Sequence, residues 1–316
     1  MNLGTLEGVG SRAIVLVLLA LWTASAEARA PELGADAVVE PARLTRPVPV
    51  AIRDLDSVAK HGQQWRLDTD HGAIHVWIPD AYDPATAAAI VFVHGYRTDC
   101  DTVWTDYRLP EQFALSGINA MFVVPEAPDG KRAKLAWPSL DALLARVHDG
   151  VDAAMPAGRL VAVGHSGAYR TLASWLPNKR LDTVVLLDAV YGEYRFAPWV
   201  RRGPERRLLN IAYETARYSD YMHKHLPTTQ RVIGLPLFGF PDARIVYAKT
   251  DVGHWKLVTD GVALPLALRA LDLRYVSGAP LEVPLGLSPR GTDSISTKSV
   301  TQRDLAAATD STVTVR

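Results

Sequence analysis

A chain of 316 residues with 48% hydrophobic composition is long enough to enclose one large core. Its 34 basic and 34 acidic residues cancel, which excludes bulk electrostatic attraction to nucleic acid or to an anionic membrane as a basis for binding. A single cysteine, Cys100, excludes an internal disulfide, so stability must come from packing.

Ala13 to Trp22 is an unbroken apolar run between Arg12 and the A-x-A pattern Ala24-Ser25-Ala26, which reads as an export signal cleaved after Ala26. The run is too short to span a bilayer comfortably. The expected location is therefore periplasmic or secreted, with no stable membrane insertion after cleavage; a retained anchor is the alternative. Residues 27–63 are rich in Pro, Ala and charge without a sustained period and read as a linker or extended surface segment.

The segments Gln64 to Asp68 and Ala73 to Pro79 predict two strands joined at Asp70-His71-Gly72. Ala87 to His94 is apolar on both faces and predicts a buried strand ending at His94-Gly95-Tyr96. An irregular helix is expected over Asp101 to Leu115, then a buried strand from Ile118 to Val124 stopped by Pro125. Ser139 to Ala154 predicts an amphipathic helix with Leu140, Leu144, Val147 and Val151 on one face. Strands follow at Leu160 to Val163, Thr183 to Leu187, Leu208 to Tyr213 and Ile245 to Ala248. A last helical region runs from Trp255 to about Tyr275, broken near Pro265. Residues 277–316 are rich in Ser, Thr, Pro and Gly, and disorder is expected. Alternating strands and helices imply a mainly parallel central sheet with helices on both faces, and no internal repeat is present.

The stretch Leu160 to Arg170 organises the rest. An apolar strand breaks into Gly164-His165-Ser166-Gly167-Ala168, and Ala168, Leu172, Trp175 and Leu176 then recur at helical spacing. Strand, sharp turn and helix place Ser166 at the apex, where backbones nearly touch and only small neighbours fit. Ala168 stands where a nucleophile elbow usually has its last glycine, a departure of one methyl group.

Three separated features, His94-Gly95 after a strand, the Ser166 turn and a late Gly253-His254, together resemble the α/β-hydrolase superfamily over roughly residues 64–276. The resemblance implies an α/β-hydrolase fold with Ser166 as nucleophile and His254 as general base. Asp188, at the tip of a central strand, is the favoured acid. Glu214, at the position where the superfamily more often keeps its acid, is the alternative, with Thr215 and Arg217 nearby to occupy it; Asp251 is third. The oxyanion donors implied are the backbone N–H groups of Tyr96 and Gly167. His94 is expected to brace its loop.

No cofactor and no metal are expected: His223-Lys224-His225 puts two imidazoles on one side only if that segment is extended, and no third ligand lies near. Asp129-Gly130-Lys131 reads as a turn. The arginine- and aromatic-rich stretch near 192–207 reads as a short lid favouring an acidic or polar, glycan-like substrate, or as a solvated loop with its arginines paired to Glu193 and Glu205. The implied function is hydrolysis of a small-molecule or polymer ester or amide through an acyl-enzyme, most simply as a carboxylesterase. The alternative is a catalytically silent binding protein of the same fold. Sequence leaves the oligomeric state open.

Overall fold

Strands that are apolar on both faces need cover on both faces, and the computed structural model, which describes residues 59–237 and 239–276, shows how this chain supplies it. The expected export signal, residues 27–58 of the linker and the C-terminal tail lie outside the described residues. The strands are β1 (Gly62–Leu67), β2 (Ile74–Pro79), β3 (Ala88–Val93), β4 (Ala120–Pro125), β5 (Leu160–His165), β6 (Leu181–Leu187), β7 (Arg207–Ala212), β8 (Gln230–Ile233) and β9 (Ile245–Lys249). They form one nine-stranded sheet in the order β1-β2-β4-β3-β5-β6-β7-β9-β8. The β1–β2 and β2–β4 pairs are antiparallel, and the remaining neighbours run parallel.

The helices are α1 (Cys100–Asp106), α2 (Leu109–Ser116), α3 (Leu140–Gly150), α4 (Tyr169–Trp175), α5 (Phe196–Arg202), α6 (Ala216–Lys224), α7 (Lys256–Thr259) and α8 (Ala263–Arg269). One core layer gathers Leu143 and Val147 of α3, Leu172 and Trp175 of α4, Trp199 of α5 and Met222 of α6. The other gathers Val103 of α1, Phe113 of α2, Val258 of α7 and Leu264 of α8. Alternate residues of the central strands serve the two layers: Val91 and Val93 of β3 enter the first, Ile90 and Phe92 the second. Among the described residues no helix is long and apolar enough to cross a membrane.

Several expectations change in detail. The helix expected over Asp101 to Leu115 is two helices, because Arg108 turns through the left-handed region at φ 52° and Pro110 fits only the first turn of a new helix. Pro265 does not break the last helical region. It lies in the first turn of α8, where a missing N–H costs nothing, and the interruption falls earlier, between Asp260 and Val262. Helix α6 and strand β8 form where no element was expected. Strand β8 is largely exposed at the sheet edge, so it lacks the apolar run that marks the inner strands.

Candidate active site

Parallel strands deliver their downstream ends to one edge of the sheet, where open α/β sheets bind ligands. The tips of β3, β5, β6, β7 and β9, all neighbours in that order, lead into His94-Gly95-Tyr96, Ser166, Asp188, Glu214 and the loop bearing His254. Ser166 follows β5 at φ 53°, a conformation that L residues other than Gly, Asn and Asp rarely adopt. The crowding that forces small neighbours is measurable: a Cβ on Gly164 would lie 2.7 Å from the Leu172 side chain and 3.0 Å from the Ala168 methyl. The methyl of Ala168 is therefore accommodated because Gly164 has none. A Cβ on Gly95 would sit 2.9 Å from Ser166 Cβ, so the loop after β3 can pass the serine only as glycine.

His165 pairs with Leu187 across β5 and β6, so Asp188 emerges one step beyond, beside Ser166. Asp188 is fully buried and also takes a positive φ, 50°. Its carboxylate accepts five hydrogen bonds. Oδ1 takes the Tyr213 N–H at 2.9 Å, the Thr215 N–H at 2.8 Å and the Thr215 hydroxyl at 2.7 Å; Oδ2 takes the Glu214 N–H at 3.0 Å and His254 Nδ1 at 2.7 Å. Burial alone would raise its pKa, but the donors of His254, Thr215 and Tyr213 outweigh that and hold it at about 2. Glu214 stays mostly exposed, with its nearest oxygen 4.0 Å from His254 Nδ1. Neither expected neighbour occupies Glu214: the Thr215 hydroxyl is bound to Asp188, and Arg217 lies over the Tyr218 ring.

The chain has the α/β-hydrolase fold. That assignment rests on the sheet order, the strained serine turn after β5 and the histidine after β9. No family model and no curated protein matches the chain. Among solved structures, the feruloyl esterase module from Clostridium thermocellum complexed with sinapinate is similar at 14% identity and a TM-score of 0.49, over 73% of this chain and 95% of that one. An S-formylglutathione hydrolase from Agrobacterium tumefaciens is similar at 12% identity and a TM-score of 0.46, over 68% and 96%. An esterase from Pyrococcus furiosus is similar at 13% identity and a TM-score of 0.38, over 65% and 88%.

The loop after β3 is fastened by His94, whose Nδ1 donates to the Gly95 carbonyl at 2.8 Å while Nε2 accepts the Ala127 N–H at 3.1 Å. Among the described residues nothing accepts from the N–H of Tyr96 or of Gly167. The Ser166 hydroxyl lies against the phenol of Tyr191, which burial pushes up to about 12, so that this phenol stays protonated. No hydrogen bond joins Ser166 to His254 among the described residues.

Asp188, Glu214 and His254 bring one ligand atom each within 4.8 Å of one another, the spacing of a cation site. The Asp188 oxygens, however, are already filled by N–H and O–H donors, so a cation would have to displace them. His223 and His225 do not lie on an extended segment: they fall at the end of α6, with His223 buried and bonded to Asn210 and Thr229. Asp251 is exposed in the loop ahead of His254.

The segment 192–207 contains α5, which sends Phe196 and Trp199 into the core. Arg195 pairs with Glu193 at 2.6 Å and Arg206 with Glu205 at 3.7 Å, whereas Arg201 and Arg202 are exposed. Between α5 and α6 opens a groove of about 440 Å³ lined in part by Tyr194, Arg201, Tyr221 and His225. Sequence reasoning missed His165, which the packing of the site reveals, and the loop amides on Asp188, which are main-chain groups and leave no trace in side-chain identity.

Proposed function

We propose that the chain is an exported serine hydrolase that cleaves an ester or amide through an acyl-enzyme, with Ser166 as nucleophile, His254 as general base and Asp188 as the acid. The observation that carries this reading is the 2.7 Å bond from His254 Nδ1 to Asp188, which fixes the tautomer with its proton on Nδ1 and leaves Nε2 bare to take a proton.

The chemistry follows from the groups present. Ser166 Oγ attacks the substrate carbonyl carbon as its proton passes to His254 Nε2. The oxygen, now negative, is met by the unpaired N–H groups of Tyr96 and Gly167, donors of a kind worth about 10²-fold or more in rate. Collapse returns the proton from His254 to the leaving group, and water repeats the sequence to free Ser166. Asp188 remains ionised throughout, since its pKa of about 2 lies far below neutral pH.

A catalytically silent binding protein is the second reading, favoured by one feature: the Ser166 hydroxyl lies against Tyr191 and makes no hydrogen bond to His254. Such bonds commonly form only in the substrate complex. Labelling with a serine-directed phosphonate separates the two. A hydrolase is labelled at Ser166, and Ser166→Ala and His254→Ala abolish the label; a folded protein whose serine never reacts is a binder. Chromogenic esters of graded acyl length then define the substrate class.

A further inference from the structure

We infer that His165, the residue between Gly164 and Ser166, is the positioning residue that holds His254 in register with the nucleophile. The inference rests on the serine hydrolase reading for its catalytic meaning and on geometry for everything else.

His165 is fully buried at the tip of β5. Its Nε2 lies 3.1 Å from the main-chain carbonyl oxygen of His254. A carbonyl can only accept, so Nε2 carries the proton and donates it. Among the described residues this is the one hydrogen bond made by the main chain of His254, and a Cβ placed on Gly253 beside it would meet nothing within 4 Å. The loop that bears the general base is therefore tied to the nucleophile strand through this imidazole.

The side chain is held as well. The His165 and His254 rings lie 4.5 Å apart at 39°, and Trp255 closes on both, 5.3 Å from His254 and 5.5 Å from His165. Asp188 fixes His254 at Nδ1, His165 fixes its backbone and covers one ring face, and Nε2 alone is left to act.

His165 is not a second base. Its Nε2 proton is committed to the carbonyl, and its Nδ1 is enclosed without any partner, 3.5 Å from where a Cβ on Gly95 would stand. Burial, reinforced by His254, keeps the ring neutral, so it places no cation beside an imidazole that must itself become charged in turnover. A neutral donor of this reach satisfies both demands; a lysine or arginine would meet the first and fail the second.

The test compares His165→Leu, which fills the space without a donor, with His165→Gln, which keeps an N–H. On a small chromogenic ester, His165→Leu should lower kcat about 10²-fold, the cost of a misplaced catalytic group, with KM within about threefold of wild type. His165→Gln should recover to within about tenfold of wild type. A folded His165→Leu with unchanged kcat, or equal losses in both variants, overturns the inference. Imidazole ¹⁵N NMR reads the same question without turnover: the His254 Nδ1–H resonance should persist in wild type and His165→Gln and broaden by exchange in His165→Leu. If wild type hydrolyses nothing and escapes the phosphonate yet the resonance behaves in this way, the hydrolase reading fails and the positioning role stands. If wild type is active and the resonance is indifferent to residue 165, only the positioning role fails.

Discussion

A carboxylate buried among five donors is held as an anion, and on the proposed reading this is the acid that orients His254. Asp188→Asn keeps the size and removes the charge, but presents an amide N–H₂ to groups that also donate. The histidine then loses its orienting acceptor, and kcat should fall about 10³- to 10⁴-fold. Glu214→Gln removes an exposed charge 4.0 Å from the ring and should change kcat by less than about fivefold. Steady-state kinetics on both variants decides, and a larger loss for Glu214→Gln would transfer the acid's role to it. Ser166, Asp188 and His254 could be singled out because each follows an apolar run and the three succeed one another in the order the superfamily uses. What could not be read was what sets Asp188 apart from Glu214: the amides of residues 213–215 that charge-stabilise it belong to the backbone of the next strand's loop. His165 was equally hidden, since a histidine inside an elbow motif gives no sign of the loop, 89 positions later, whose carbonyl it holds.

At the scale of single elements, strain and close approach are concentrated where β3 and β5 end. The serine turn is held by β5 on one side and α4 on the other, so Ser166 Cβ has nowhere to retreat. Gly95→Ala would drive a methyl to 2.9 Å from it. The yielding part must then be the loop carrying Tyr96 N–H, and the proposed oxyanion donor moves with it. Activity should fall by about 10-fold or more on kcat with little change in far-UV circular dichroism, since one misplaced donor costs on the order of 10²-fold. Wild-type kcat in Gly95→Ala would show that the loop is not part of the oxyanion site. Inner strands β3 to β7 and β9 were readable because burial on both faces demands apolar runs. Helix α6 was not: Tyr218, Ser219, Met222 and His223 face inward with polar neighbours between them, and the apolar signal is diluted below notice. The two-helix form of the α1–α2 region was concealed for another reason, since a left-handed arginine at position 108 leaves no compositional mark.

The whole molecule folds histidines into its interior, and its response to acid should show it. His165 is pushed down to about 3 by burial and by the neighbouring His254, and His223, stacked 4.6 Å from Tyr247, is pushed down to about 4 by burial and by Arg231. His75 is lowered as well, its burial outweighing the attraction of Asp101. An unfolded chain protonates these rings near pH 6.5, whereas the native state refuses the proton until far lower. The sign follows: below pH 6.5 the unfolded state binds more protons, so stability is complete above that value and declines as pH falls toward 4. Each such ring contributes about 1.4 kcal/mol per pH unit, so His165 and His223 together give a slope of about 3 kcal/mol per unit between pH 6 and 4.5. Glu126 and Glu193, held low despite burial by His94 and the Cys100 N–H and by Arg195 respectively, add to the loss with the same sign toward the bottom of that interval, where an unfolded glutamate takes up protons. Asp188, held at about 2 against an ordinary 3.8, stabilises the fold above pH 4 and withdraws its share, about 2 kcal/mol, only as pH drops from there toward 2. Acid loss should therefore begin with the histidines and continue as the carboxylates join. Urea denaturation at half-unit steps from pH 7 to 4 measures it, and His223→Gln, which can still bond Asn210 and Thr229, should lower the early slope by about 1.4 kcal/mol per pH unit while leaving kcat unchanged. A flat stability from pH 7 to 4.5 would mean that the interior accommodates charged imidazoles, and the tautomer assigned to His165 at the tip of β5 would fall with it.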